Sequence, residues 1–202
     1  MTARLSGGSL GVTPSSWRIG RPVRDHADID VLMLRRDQLA VQQALPGWQW
    51  QAADPPGSLR PWPPGERLPV GVHDIWCRPG PGESWRIQVM LDESSGRDWV
   101  SRRDERIRRP ITSIGLVTVR GIPYLAPEIQ LFYKAMNGRP EDETDFAAAL
   151  PVLTRPQRQW LSDALSVAYG PGHPWRARLL ARHGGLRHRN QGERSAVHDH
   201  LK

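Results

Sequence analysis

The chain has 202 residues, of which 38% are hydrophobic and 24% charged, with a formal net charge of +7. These values exclude a disordered polyelectrolyte and leave room for one good core with a small helical appendage. No apolar run reaches the roughly 20 residues that a bilayer crossing takes, and the first residues lack the order of a secretory leader. The lone cysteine, Cys77, rules out an internal disulfide framework and fits a reducing cytoplasm; no Cys/His spacing suits zinc.

Taken in chain order, residues 1–19 are rich in Gly, Ser and Thr without helical or strand period, and irregular structure is expected there. Residues 20–125 read as a sheet core. Asp28 to Leu34 alternates and is rich in branched apolar residues, as a buried strand should be. Asp37 has the character of a helix N-cap, with Leu39, Ala40 and Leu45 as the apolar stripe until Pro46 and Gly47 stop it. Trp48 and Trp50 open another strand, and the prolines between Asp54 and Pro69 predict a loop. Further strands are expected at Val72 to Cys77, Trp85 to Leu91, Trp99 to Arg102 and Ile114 to Val119. Residues 126–182 read as helical. Pro127 suits a first helical position, and Asn137–Gly138 a stop. Pro140 starts a second helix whose first turn is acidic. A third spans about Pro156 to Ala168, Pro174 opens a fourth, and residues 183–202 read as a disordered tail.

Much of the positive excess sits in Arg176, Arg178, Arg182, Arg187, Arg189 and Arg194, and in Arg102, Arg103, Arg106, Arg108 and Arg109. No helix-turn-helix, zinc finger or RNA-binding aromatic motif accompanies these groups, so they read as solvated surface and no nucleic-acid partner is expected.

The chemistry concentrates between Gly20 and Val31. A strand presents residues i and i+2 on one face, so Asp28 and Asp30 project side by side while Ile29 and Val31 face the core. Two adjacent carboxylates repel unless a cation neutralises them, and oxygen ligands favour a hard ion such as Mg²⁺. Arg24 and His26 precede the pair. Together, Arg24, His26, Asp28 and Asp30 resemble the Arg-x-His-x-Asp-x-Asp signature of the aminoglycoside and lincosamide nucleotidyltransferases, in the DNA polymerase beta superfamily. The resemblance extends through 73–78, 85–93, 99–104, 121–135, 139–146 and 171–175, about residues 20–180 in all.

The resemblance implies an α+β fold: a small mixed sheet carrying the nucleotidyltransferase core, followed by a C-terminal helical bundle. It implies transfer of a nucleotidyl group, AMP from ATP, to a hydroxyl of a small molecule, with an aminoglycoside-type antibiotic as the acceptor the family name suggests. Asp28 and Asp30 would be the catalytic and Mg²⁺-binding pair. Arg24, His26, Arg103 and Lys134 would meet the nucleotide, with Lys134 on a helix facing the cleft.

Two departures from the family pattern stand out. Its phosphate-cradling Gly-Gly or Gly-Ser loop should fall near Gly11-Val12, yet Gly7-Gly8-Ser9 lies several residues upstream, and the expected helix would contain Pro14. One explanation is a shifted start or reading frame for residues 1–19. The family's third carboxylate aligns with Gln88, a neutral group counted with the nucleotide site, and Asp92 is the stand-in metal ligand. The alternative readings are a nucleotidyltransferase-fold binding protein without turnover and an antitoxin-like regulatory partner of a helical toxin.

Overall fold

The computed structural model describes the backbone of residues 11–13 and residues 28–181 in full. Ten strands and five α-helices are formed among the described residues, and the fold is α+β, with four of the helices following the sheet. The strands are β1 (Gly11–Thr13), β2 (Ile29–Leu34), β3 (Gln49–Ala53), β4 (Leu59–Pro61), β5 (Asp74–Arg78), β6 (Ile87–Ser95), β7 (Asp98–Val100), β8 (Arg108–Pro110), β9 (Gly115–Val117) and β10 (Pro123–Leu125). The helices are α1 (Leu39–Ala44), α2 (Pro127–Lys134), α3 (Pro140–Ala149), α4 (Arg155–Tyr169) and α5 (Pro174–Leu180). None is long and apolar enough to cross a membrane.

The main sheet has the order β4-β3-β5-β6-β2-β1-β10-β9, and β7 and β8 extend the far end of β6. It is mixed: β2 runs parallel to β6 and β1 parallel to β10, while the other pairs are antiparallel. β2 explains the arrangement. Its alternate residues enter two different cores, Val31 and Met33 on one face and Leu32 and Leu34 on the other. Such a strand must be covered on both sides, which is why it reads as a nearly continuous apolar run.

On the first face, Val31 and Met33 meet Val41 of α1, Trp50, Ala52, Ile75, Cys77, Val89 and Leu91, and the loop residues Trp62 and Leu68 close the layer. Burial pushes the Cys77 thiol up to about 12, so it acts as a small apolar side chain rather than a nucleophile. On the second face, Leu32 and Leu34 meet Ile129, Phe132, Phe146, Leu161, Leu165 and Trp175 from all four C-terminal helices. Each of those helices carries proline in its first turn, where its missing N–H removes no helical bond. Thr154 and Gln157 add a reciprocal capping box to α4. Gly138, at φ +58°, makes the turn between α2 and α3 that a side chain would oppose.

Several expectations from the sequence need correction. Gly11–Thr13 is a strand lying between β2 and β10 rather than irregular chain. Three residues are too few to show a period, and their order comes from neighbouring ladders. Asp37 lies inside a 3₁₀ turn, Arg35–Asp37, and the cap of α1 falls on Gln38 without a side-chain bond. The proline-rich loop contains β4, which sits at an edge of the main sheet where Pro61 is tolerated. Ile29, expected to face the core, is 46% exposed because the strand starts beyond the covered region. β8 and β10 were not expected from the sequence. The opposite edge is β9, where Val117 is 66% exposed. The reading of residues 183–202 as a disordered tail lies outside the described residues.

The most concentrated packing of the helical layer is the stack of Phe146 on Trp175, with ring centroids 4.2 Å apart and planes 8° from parallel. Both rings are almost wholly buried. Trp175→Ala is expected to lower the unfolding free energy by about 3–5 kcal/mol. Urea denaturation checks it, and an unchanged midpoint would mean that α5 contributes nothing to the core.

Candidate functional site

The helices cover the second face of β2 only from Leu32 onward. At the start of the strand they leave the sheet open, and a cleft of about 520 Å³ lies there. Asp28 and Asp30 line it together, as the period of two requires. Ladder register places the neighbouring side chains. Asp30 pairs with Gln88 on β6, and Gln88 with Trp76 on β5, so these three share one face in a row across the sheet. One step along the strands, Leu32, Met90 and Asp74 form the next row. The helices supply Tyr133 and Lys134 at the end of α2, and Arg139 and Glu141 at the start of α3. Arg102 and Arg103, just after β7, complete the wall.

The cleft therefore carries the carboxylates of Asp28, Asp30 and Asp74 from the sheet side and of Glu141 from α3, together with the cations Arg102, Arg103, Lys134 and Arg139, of which Arg139 lies 3.5 Å from Glu141. Three of those cations are held in place. Arg102 is nearly buried and donates from Nη1 to Asp74 Oδ1 at 3.2 Å. Lys134 Nζ donates to the buried Asp145 at 2.6 Å, with Asp142 at 3.8 Å. Arg139 donates from Nε to Asp142 at 2.8 Å, and that bond, helped by Asp142, Glu141 and Asp30 charges, holds its guanidinium above the ordinary value. Arg103 forms no ion pair among the described residues; its guanidinium lies 6.0 Å from the Tyr133 ring centre.

Sequence reasoning and structure meet at Asp28, Asp30, Gln88, Arg103 and Lys134, all of which line this cleft. Lys134 faces it as expected, but with its ammonium engaged by Asp145. Arg24 and His26 lie outside the described residues. Asp92 was the stand-in for a third metal ligand, and the structure puts it elsewhere. It points to the same face as Asp30 but two rows further on, beneath the helices, and is fully buried. Trp99 Nε1 donates to it at 2.6 Å, the Tyr133 hydroxyl also donates to it, and Arg102 Nε stands 3.8 Å away. Asp92 is thus the anchor beneath Arg102 and Tyr133 rather than part of the cleft lining.

The carboxylate that does line the cleft from a neighbouring strand is Asp74, which sequence reasoning passed over. Gln88 Nε2 donates to its Oδ1 at 3.1 Å alongside Arg102. A signal was present: Asp74 and Trp76 are two apart in a strand whose odd residues, Ile75 and Cys77, are apolar. Asp74 does not join the other two as a ligand set, since no group of three His, Cys, Asp or Glu among the described residues is arranged to hold a metal. Two carboxylates still suit Mg²⁺, which commonly takes one or two from protein and completes its shell with phosphate and water. Asp28 and Asp30 fit that role.

Burial raises the Asp92 carboxyl above its usual range, against the opposing hydrogen bonds from Tyr133 and Trp99 and the charge of Arg102. A folded-state value above the unfolded one favours the neutral acid on folding. The contribution is complete below the unfolded value of about 3.9 and is lost as pH rises through the folded one. Asp92→Asn keeps a neutral acceptor for the same donors. Relative to the native chain it is expected to gain stability as pH rises from about 4 to about 7. Urea midpoints of both proteins at the two pH values check this, and a relative loss would contradict it. No protein-family model matches the chain, and no curated protein matches it.

Proposed function

We propose that this cleft transfers a nucleotidyl group, AMP from ATP, to a hydroxyl of a small molecule. The observation that carries the reading is the pair Asp28 and Asp30 at the open end of a covered strand, in one cleft with four cations. Carboxylates beside cations are what a metal-bound triphosphate needs: the first to hold the ion, the second to balance the remaining phosphate charge. The resemblance of residues 24–30 to the nucleotidyltransferase signature supports the same reading.

Asp28 and Asp30 would hold Mg²⁺, which when bound supplies neutralisation of phosphate charge and orientation of the reacting oxygens. Arg103, free of any carboxylate among the described residues, is the cation best able to meet phosphate oxygens. Arg102 and Arg139 shape the field from fixed positions. An acceptor oxygen attacks the α-phosphorus, the bond to the bridging oxygen breaks, and pyrophosphate leaves. The proton of the acceptor hydroxyl passes to a carboxylate of the cleft. An aminoglycoside-type acceptor is the substrate class that the family resemblance suggests.

A second reading, nucleotide binding without turnover, is favoured by the third carboxylate. Asp74 is tied to Arg102 and Gln88 and does not converge with Asp28 and Asp30. One experiment separates the two. Calorimetry with ATP and Mg²⁺ should show saturable binding that weakens by at least about ten-fold in Asp28→Asn/Asp30→Asn, given the charge removed from the ion. Pyrophosphate release with a panel of hydroxyl acceptors then supports transfer, and binding without release supports the second reading. A native chain that binds no ATP–Mg²⁺ would refute both.

A further inference from the structure

A second depression, of about 450 Å³, adjoins the cleft and shares Asp74, Trp76 and Gln88 with it. Its other walls are Trp85, in the loop before β6, and the β3–β4 turn with Ala53 and Leu59. The Trp76 and Trp85 rings meet at 59° with centroids 6.3 Å apart, which makes an angled corner of two aromatic surfaces. Trp85 is held there from behind. Arg78 lies 4.4 Å from its ring centre, and that guanidinium is fixed by Gln49 Oε1 at 2.6 Å and by the Glu83 carbonyl. A ring fixed before binding loses little freedom on binding. The groove is apolar at its outer end and polar where it opens into the cleft.

The charge layout decides what enters from this side. Arg103, Lys134 and Arg139 line the cleft and not the groove, and Arg102, also in the cleft, reaches the junction with its charge held by Asp74. On the groove side Arg78 is spent on Trp85, Gln49 and Glu83. A triphosphate therefore has its counter-charges in the cleft and an apolar aromatic corner beyond Asp74 and Gln88. Resting on the nucleotidyl-transfer reading above, we propose that the Trp76–Trp85 groove is the acceptor subsite. It takes an uncharged planar ring of a hydroxyl-bearing small molecule. The row Asp30, Gln88, Trp76 spans two strand spacings, about 10 Å. The acceptor then carries its reacting hydroxyl about one sugar ring away from the planar group. Asp74 and Gln88, at the junction, meet the polar part between them.

Nitrophenyl glucoside, a planar ring joined to a hydroxylated one, is a suitable probe, with methyl glucoside as the ringless control. Calorimetry on the full chain, with Mg²⁺ and ATP measured separately, is expected to show binding of the first and binding at least about ten-fold weaker for the second. Trp85→Ala, in a loop and half-buried, should weaken nitrophenyl glucoside by about ten-fold while ATP–Mg²⁺ affinity changes by less than about two-fold. Trp76→Leu should act in the same direction, with circular dichroism confirming that both variants are folded. Equal affinity for the two glucosides, no binding of either, or unaltered probe affinity in both folded variants would overturn the proposal. So would a matching loss of ATP binding in Trp85→Ala, which would place the nucleobase in the groove. A native chain that binds the nitrophenyl ring but no ATP–Mg²⁺ overturns the nucleotidyl-transfer reading and, with it, the acceptor role, while the ring site itself stands.

Discussion

β2 is covered on both faces, and nearly everything else in the molecule follows from what that requires. Val31 and Met33 call for one layer, Leu32 and Leu34 for another. The parallel partner β6 obeys the same constraint, with Val89 and Leu91 turned to one layer and Asp92 buried in the other. A strand clad on both sides has only its ends for chemistry. Asp28 and Asp30 occupy the end at which the helical layer has not yet begun, so the same alternation that buries two leucines turns two carboxylates to the cleft.

The helical layer is tied to the sheet by charge as well as by apolar packing. Asp92 receives hydrogen bonds from Trp99 on β7 and Tyr133 on α2, and Arg102 stands between it and Asp74. Arg102 thus links a buried acid to a cleft acid, and both Arg102 and Arg103 lie over the Tyr133 ring. On the other side of the cleft Lys134 joins α2 to Asp145 of α3. Buried pairs of this kind contribute little net stability against well-packed apolar groups, but losing one partner is costly. Their effect here is geometric: they fix the angle at which α2 and α3 stand over the open end of β2.

Local signals in the sequence carried far where the physics is local. The alternation through Asp28 to Leu34 placed both the strand and the paired carboxylates, and the prolines at 127, 140, 156 and 174 marked all four C-terminal helices. Asn137–Gly138 marked the turn between two of them. What remained illegible depends on contacts distant in the chain. β1 exists because β2 and β10 flank it. The apolar alternation ends near Leu91 and so presents Asp92 as a strand-end ligand, whereas β6 continues to Ser95 and carries that residue under α2. Lys134 was legible as a cleft residue, but its partner Asp145, eleven positions on in the next helix, was not. Asp74 was hidden for a simpler reason: it begins a strand that first meets the aspartates through β6.

The two edges of the main sheet differ in a way that bears on how this protein meets other chains. β4 ends at Pro61, which offers no N–H, and its Arg60 is clamped by Asp54 and Glu66. Proline and fixed charge are means by which edge strands resist further pairing. β9 has neither. Gly115, Leu116 and Val117 are uncharged and all exposed, next to the fully exposed Val119. Among the described residues, its outer backbone groups are not covered by another strand. Among the described residues the sheet is therefore directional as a template: an extended segment meets a blocked margin at β4 and an uncovered one at β9.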